Sequence, residues 1–292
     1  MSNKIKLAIL GGTGLLGKPL TDFFKKNNYD VITISRNSSD ADYNIDVNNA
    51  QKLLEAFYNF QPNLIINLVA ITSVDLCESN IPLAYKVHVK LNETLAHYSI
   101  QTKTKILYIS TDHFYEGNDS KELDLYPQNV YGLTKLMGEN VLLRCDSVIL
   151  RTNFFGYSQT QNRFSLTDIM YNNAKNGVEI KLFDDVYFSP LSIKSLCSCI
   201  MHVAEYWKNG IYNVGSKNGM SKADFVIHFL KATGFKNISF ERMSIKDSHL
   251  TVNRPKDMRM NVELFEKTYG YELPSLVDEI DLVAGDYNEK KI

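Results

Sequence analysis

The stretch Leu10-Gly11-Gly12-Thr13-Gly14-Leu15-Leu16-Gly17 constrains this chain more than any other feature, because it follows an apolar run at 6–9 and opens an amphipathic segment. That context predicts a strand, a tight turn and a helix. Each of three glycines has its own task. Gly11 permits the turn, Gly14 lets backbone amides approach a pyrophosphate, and Gly17 lets the helix pack closely on the strand. The helix N-terminus adds free N–H groups and a partial positive charge. The turn therefore predicts a dinucleotide site at Gly11, Thr13, Gly14 and Gly17.

The alternation continues through the first half. Strand-like runs near 6–9, 31–35, 64–68, 106–110 and 148–151 are separated by helical patterns near 16–26, 50–60, 81–98 and 131–143. Nearly continuous apolar runs such as Leu64-Ile65-Ile66-Asn67-Leu68-Val69-Ala70 are what strands buried on both faces require. The expected fold is α/β, a Rossmann-type doubly wound parallel sheet with a smaller C-terminal α/β lobe. Residues 1–155 are assigned to the NAD(P)-binding domain, with a helix within 190–210 packing back on it. Residues 156–189 and 211–292 are assigned to a substrate-binding lobe closing over the cofactor. A polar loop is expected at 156–163, a helix near 165–175, a strand near 179–183 and a frayed tail at 286–292.

Composition narrows the function. The 292 residues are 44% hydrophobic, and 32 basic residues nearly balance 33 acidic ones. Without a basic stripe, nucleic acid is not an expected partner. Neither a signal peptide nor an apolar run of membrane-spanning length is evident, so a cytoplasmic protein without a membrane partner is expected. Cys77, Cys145, Cys197 and Cys199 lack zinc spacing and read as buried, reduced thiols. The acidic groups Asp184/Asp185 and Asp278/Glu279/Asp281 read as solvated faces, and no metal is expected.

Two further signals bear on chemistry. Tyr131 and Lys135 are four apart in a helical segment and so share a face. A nearby ammonium favours phenolate and is expected to lower the Tyr131 pKa from its usual value of about 10. A tyrosine tuned in this way exchanges a proton with a substrate oxygen. The second strand ends Ile34-Ser35-Arg36-Asn37, where an NAD site usually carries an acid for the ribose 2′-hydroxyl. Arg36 suits a 2′-phosphate instead, which favours NADP(H) over NAD(H).

These motifs occur together in one order, and on them the chain resembles the extended short-chain dehydrogenases and, within these, the dTDP-4-dehydrorhamnose reductase family. The glycine spacing is similar to the short-chain dehydrogenase variant of the turn. Residues 67–78, the Ser110-Thr111-Asp112-His113-Phe114-Tyr115 segment, Tyr131 with Lys135, Arg151-Thr152-Asn153-Phe154-Phe155, residues 184–190 and Arg254-Pro255 all resemble family segments. The resemblance implies NAD(P)H-dependent reduction of the 4-keto group of a nucleotide-linked deoxysugar, in surface polysaccharide or nucleotide-sugar biosynthesis. It implies that Thr111 hydrogen-bonds the substrate carbonyl, Tyr131 protonates it, and Lys135 holds the nicotinamide ribose. It implies that Gly14, Leu15 and Leu16 meet the pyrophosphate, Asp46 and Val47 border the adenine, and Val69, Ala70, Ile71 and Thr72 line the cofactor cleft. Val74, Thr111, Asp112 and Phe154 would touch the sugar nucleotide. The superfamily also allows a helix-mediated homodimer.

The chain departs from the family pattern at His113, where Tyr is usual, and at Phe154, where Trp is usual. It also departs around Phe188, Pro190 and Leu191, and at Met258 and Asn261. These changes suggest the same chemistry on an altered substrate. Two alternatives stay open: a nucleotide-sugar epimerase or dehydratase, whose usual Glu after Asp112 is here His113, and a non-catalytic cofactor-binding regulatory subunit.

Overall fold

A computed structural model describes residues 4–161 and 163–289. Seven parallel strands form the central sheet. β1 (Lys6–Leu10) lies in the middle, flanked by β2 (Asp30–Ser35) and β4 (Leu64–Asn67). The order runs from β3 (Tyr43–Asn44) through β2, β1, β4, β5 (Lys105–Ile109) and β6 (Ser147–Thr152) to a last strand, Gly210–Val214. The order reverses beside β1, and a crevice outside the carboxyl ends of β1 and β4 follows from that reversal.

Helices cover both faces, which is why the strand centres are mostly apolar. Leu7 and Ile9 point to one core with α1 (Gly17–Lys26) and the helix Ile193–Glu205; Ala8 and Leu10 point to the other with α2 (Ala50–Phe60) and α5 (Leu91–Thr102). Each fully buried Leu or Ile contributes roughly 1.5–3 kcal/mol relative to exposure. Asn49 starts α2 by accepting from Lys52 N at 3.1 Å, one of the amides that lacks an intrahelical partner. The expected helix at 81–98 is instead α4 (Ile81–Tyr85), a π-helical segment Lys86–Lys90 and α5. The short α3 (Val74–Ser79), capped by Ser73, was not expected from the sequence.

A second core gathers Phe155, Ile180, Leu182, Phe188, Phe225, Phe229, Met258 and Ile280. Residues 211–292 do not all belong with it. The strand Gly210–Val214 pairs with β6 in the main sheet, and Val262, Phe265 and Tyr269 pack in the main core. The sequence pattern misassigns them because hydrophobic periodicity reports an element, not the sheet it joins. Asp184 and Asp185 ion-pair with Arg242 and Lys256 at a partly exposed surface, whereas Glu279, expected on a solvated face, is buried and accepts from Ser195 Oγ at 2.7 Å. Among the described residues, no helix is long and apolar enough to cross a membrane. All four cysteines are free; Cys145 is half-buried and the other three are buried.

Candidate active site

The glycine turn sits at the end of β1. Gly11 takes φ +80°, and a Cβ on Gly17 would fall 2.1 Å from the Gly11 carbonyl oxygen, so the close approach of α1 to the turn admits no side chain. Leu16, at the N-cap of α1, makes no side-chain cap bond, and the first turn contains no acid. Lys18 N donates to Gly14 O at 3.0 Å and Leu20 N to Leu16 O at 3.1 Å, and Pro19 has no N–H, so the amides left for an anion are those of Leu15, Leu16 and Gly17 at the turn itself, and this turn fits a pyrophosphate. Thr13 Oγ1 and Ser35 Oγ are 2.8 Å apart, which joins the turn to the end of β2. Arg36 follows, exposed and without a hydrogen-bond partner among the described residues. The nearby acid Asp42 is bound back to Thr33, accepting from its N and Oγ1 at 2.8 Å each. Asp46 is exposed and accepts from Asn48 N at 2.9 Å, and Val47 packs partly against the sheet core.

The loop after β4 is fixed by polar side chains. Val69 N donates to Asn67 Oδ1 at 3.0 Å, and Ile71 N donates to His88 Nε2 at 2.9 Å. Ala70 and Ile71 are half-buried and Thr72 is exposed. His88 Nδ1 meets Thr134 Oγ1 at 2.8 Å, while the Thr134 hydroxyl also lies 2.7 Å from Val130 O, to which it donates. With Nε2 accepting and Nδ1 donating, His88 is a neutral imidazole with its proton on Nδ1. Burial, with the Lys135 charge second, lowers its pKa to about 3.

Asn129 begins α6 (Val130–Leu142) by accepting from Gly132 N at 2.9 Å, and its amide reaches Asn253 O at 2.9 Å. One turn in, Tyr131 stands edge-on between two imidazoles, with ring centroids 5.8 Å from His88 and 5.3 Å from His113. The expectation that Lys135 lowers the Tyr131 pKa is corrected. Burial raises it to about 12, offset in part by the Thr111 hydroxyl, while Asp112 and Cys77 push it further up. The Lys135 ammonium is directed elsewhere: it donates to Ile109 O at 2.8 Å and lies 4.0 Å from the Tyr108 ring centroid. Sharing a helix face did not bring the two polar ends together.

Thr111 and Asp112 lie just beyond β5, both buried. Asp112 Oδ2 accepts from Asn153 Nδ2 at 3.0 Å, and burial raises its pKa to about 6. His113 Nδ1 is buried without a hydrogen-bond partner among the described residues, as is Arg254 Nη1. Burial, then the charges of Lys222 and Arg254, lowers the His113 pKa to about 4. Arg254 Nη2 donates to Asp75 Oδ2 at 2.6 Å. Beneath these residues, Glu139 accepts from Ser110 Oγ and from Nε and Nη2 of Arg151, all in a fully buried network.

The structure brings Thr111, Asp112, His113 and Tyr131 together. Val74 packs in a small cluster with Tyr131 and Cys77, and Phe154 packs against the main core. Several substrate-side departures prove to be packing positions. Phe188 and Met258 belong to the second core and Leu191 to the main core, while Asn261 donates to Asp119 Oδ2 at 3.2 Å. His88, Glu139 and Lys222 carry no local sequence signal, since each acts through partners distant in the chain.

The RmlD substrate binding domain family model matches residues 5–288, nearly the whole chain. The chain belongs to this family. In these relatives the name becomes the dTDP-4-dehydrorhamnose reductase family, and an NAD(P)-dependent oxidoreductase of sugar nucleotides is the class it carries. A dTDP-4-dehydrorhamnose reductase of Aggregatibacter actinomycetemcomitans is 32% identical over 235 residues, covering 76% of this chain and 77% of that one. The spore coat polysaccharide biosynthesis protein SpsK of Bacillus subtilis (strain 168) is 27% identical, with 79% and 80% covered. A dTDP-4-dehydrorhamnose reductase from Bacillus anthracis str. Ames, solved in complex with NADP, superposes with a TM-score of 0.88 at 23% identity, with 97% and 100% covered. That likeness establishes the fold, the Rossmann-type parallel sheet expected from the sequence.

Proposed function

We propose that this chain reduces the 4-keto group of a nucleotide-linked 6-deoxyhexose, as the names of its relatives indicate, using NADPH in a cytoplasmic nucleotide-sugar or polysaccharide pathway. The observation that carries the reading is the Tyr131 phenol, kept protonated by burial and set beside Thr111 at the carboxyl end of β5. A neutral phenol is the form that an acid catalyst of carbonyl reduction needs.

NADPH, when bound, supplies the hydride. Thr111 orients the substrate carbonyl oxygen, and Tyr131 gives that oxygen its proton, becoming phenolate. Neutral His88 and His113 pack against the Tyr131 ring without placing a charge there at neutral pH. Lys135 spends one N–H on Ile109 O and keeps at least one more for the nicotinamide ribose. Glycines 11, 14 and 17 with Thr13, Leu15 and Leu16 hold the pyrophosphate, and Arg36 takes the 2′-phosphate. Asp46 and Val47 border the adenine, and Val69, Ala70, Ile71 and Thr72 line the cleft. On the substrate side, Val74, Asp112 and Phe154 border the sugar. The positive charge of Lys222 and Arg254 near His113 suits an anionic nucleotide. Since Phe188, Leu191 and Met258 are buried packing residues, changed sugar recognition rests on His113 and Phe154.

The test is NADPH oxidation with a panel of nucleotide-4-keto-6-deoxyhexoses. Turnover is expected on at least one, and Tyr131→Phe should reduce kcat about 10²–10⁴-fold. Absence of turnover on every member, or wild-type activity in Tyr131→Phe, rejects the assignment.

A further inference from the structure

The loop after residue 155 does more than connect the two cores. Thr160 Oγ1 donates to Gly14 O at 3.3 Å, so this loop touches the glycine turn from the opposite lobe. Arg163 Nη1 lies 3.8 Å from where a Cβ of Gly14 would stand. The loop is built to hold that position. Ser158 N donates to Asp168 Oδ2 at 3.2 Å, and Thr160 N donates to Ser158 Oγ at 3.2 Å. Asp168 also closes the capping box of the helix Leu166–Lys175 with Ser165.

The charge arrangement is what asks for a ligand. The N-terminus of α1 carries the positive end of its dipole, without a capping side chain or a first-turn acid. Arg163 brings a full positive charge to the same turn, and no carboxylate among the described residues pairs with it. Arg163 is solvent-exposed, so water screens the two positive ends in the free protein, and an anion lying between them would meet both. The planar guanidinium fork matches phosphate oxygens.

We propose that Arg163, steadied by the Thr160 contact, is a second hold on the cofactor pyrophosphate. The diphosphate is gripped from below by the turn amides of Leu15, Leu16 and Gly17 and from the lobe side by the guanidinium. The proposal rests on the dinucleotide reading of the glycine turn. Its consequence is that cofactor binding ties the loop, and through Asp168 the lobe helix, to the Rossmann sheet before any sugar nucleotide arrives.

Calorimetric titration with two fragments tests it without turnover. ADP carries the diphosphate without the 2′-phosphate, and 2′-AMP carries the reverse. In Arg163→Met, ADP should bind about tenfold more weakly with 2′-AMP unchanged. Thr160→Val should weaken ADP by a smaller factor. Unchanged ADP binding in Arg163→Met, at a wild-type melting temperature, overturns the proposal and leaves Arg163 a surface cation. A loss confined to 2′-AMP also overturns it. If wild type binds neither ADP nor NADPH, the cofactor reading itself fails along with it.

Discussion

The Lys135 ammonium donates to the Ile109 backbone carbonyl at 2.8 Å, which anchors the helix of Tyr131 to the end of the strand that leads into Thr111. Burial lowers the Lys135 pKa from 10.5 to about 7, offset in part by the Glu139 charge. Between those values the unfolded chain carries a proton that the folded chain has released, so Lys135 makes stability rise with pH from about 7 to 10.5. Other groups titrate in that range, so the diagnostic quantity is the melting temperature of wild type minus that of Lys135→Met. It should increase from pH 7 to 10 in the cofactor-free protein. A flat difference would show that Lys135 keeps its proton in the fold.

His88 and His113 govern the acid side. Their pKa values fall from 6.5 to about 3 and about 4, chiefly through burial. Below pH 6.5 the unfolded chain takes up protons that the fold refuses, so stability drops as pH falls toward 4. Each group accounts for about 1.4 kcal/mol per pH unit. Asp112 opposes this with one proton, since its pKa is raised from 3.8 to about 6. Denaturant midpoints at pH 7 and pH 5 should differ less in His88→Asn, and less in His113→Asn, than in wild type. An undiminished gap in both variants would assign the acid sensitivity to other groups.

Glu139 and Arg151 form an ion pair with side chains 0% and 1% exposed. Glu139→Gln leaves the guanidinium buried with its counter-charge gone and should cost about 3 kcal/mol in chemical denaturation. Adding Arg151→Met to that variant should restore part of the loss, because the unmatched charge is then removed. A double variant less stable than the single one would mean that the pair's packing outweighs its charge.

Arg36 stands free just past β2, while Asp42 is occupied by Thr33. Arg36→Ala should lower kcat/KM for NADPH about tenfold or more and leave NADH nearly unaffected. A ratio of the two cofactors equal to that of wild type would remove Arg36 from the 2′-phosphate site.

Much of the fold was legible because buried parallel strands announce themselves. β1, β4 and β5 read as apolar runs, and α2 has the bounds that its periodicity predicts. Other elements gave weak signals for physical reasons. β3 spans two residues, and the strand at 210–214, as long as β1, begins at Gly210 and includes buried Asn213, whose amide binds Ser120 O at 3.0 Å and whose Oδ1 accepts from Tyr115. At the candidate site, Tyr131 and Lys135 stood out by a fixed local spacing and Thr111 by the family resemblance, and the structure sets Tyr131 beside Thr111 while the Lys135 ammonium turns to Ile109 O. The site was illegible where function depends on distant pairings. His88 joins Ile71 to Thr134 across 17 and 46 residues, and local sequence does not encode such a bridge. The direction of the Tyr131 shift was missed for a related reason: a face assignment from helical spacing says nothing about desolvation.

The strand Gly210–Val214 closes the edge of β6, yet residues 153–209 are made between them. On the ribosome, β6 therefore waits with a bare row of amides and carbonyls until the chain has grown past 214. Parallel pairing over such separations is slow, and open edges recruit other chains. The late strand covers β6 and takes the outermost place itself, where Asn213 N is bonded to Glu122 Oε1, so a message truncated before residue 210 would yield a product whose bare β6 edge is prone to stick to its own copies.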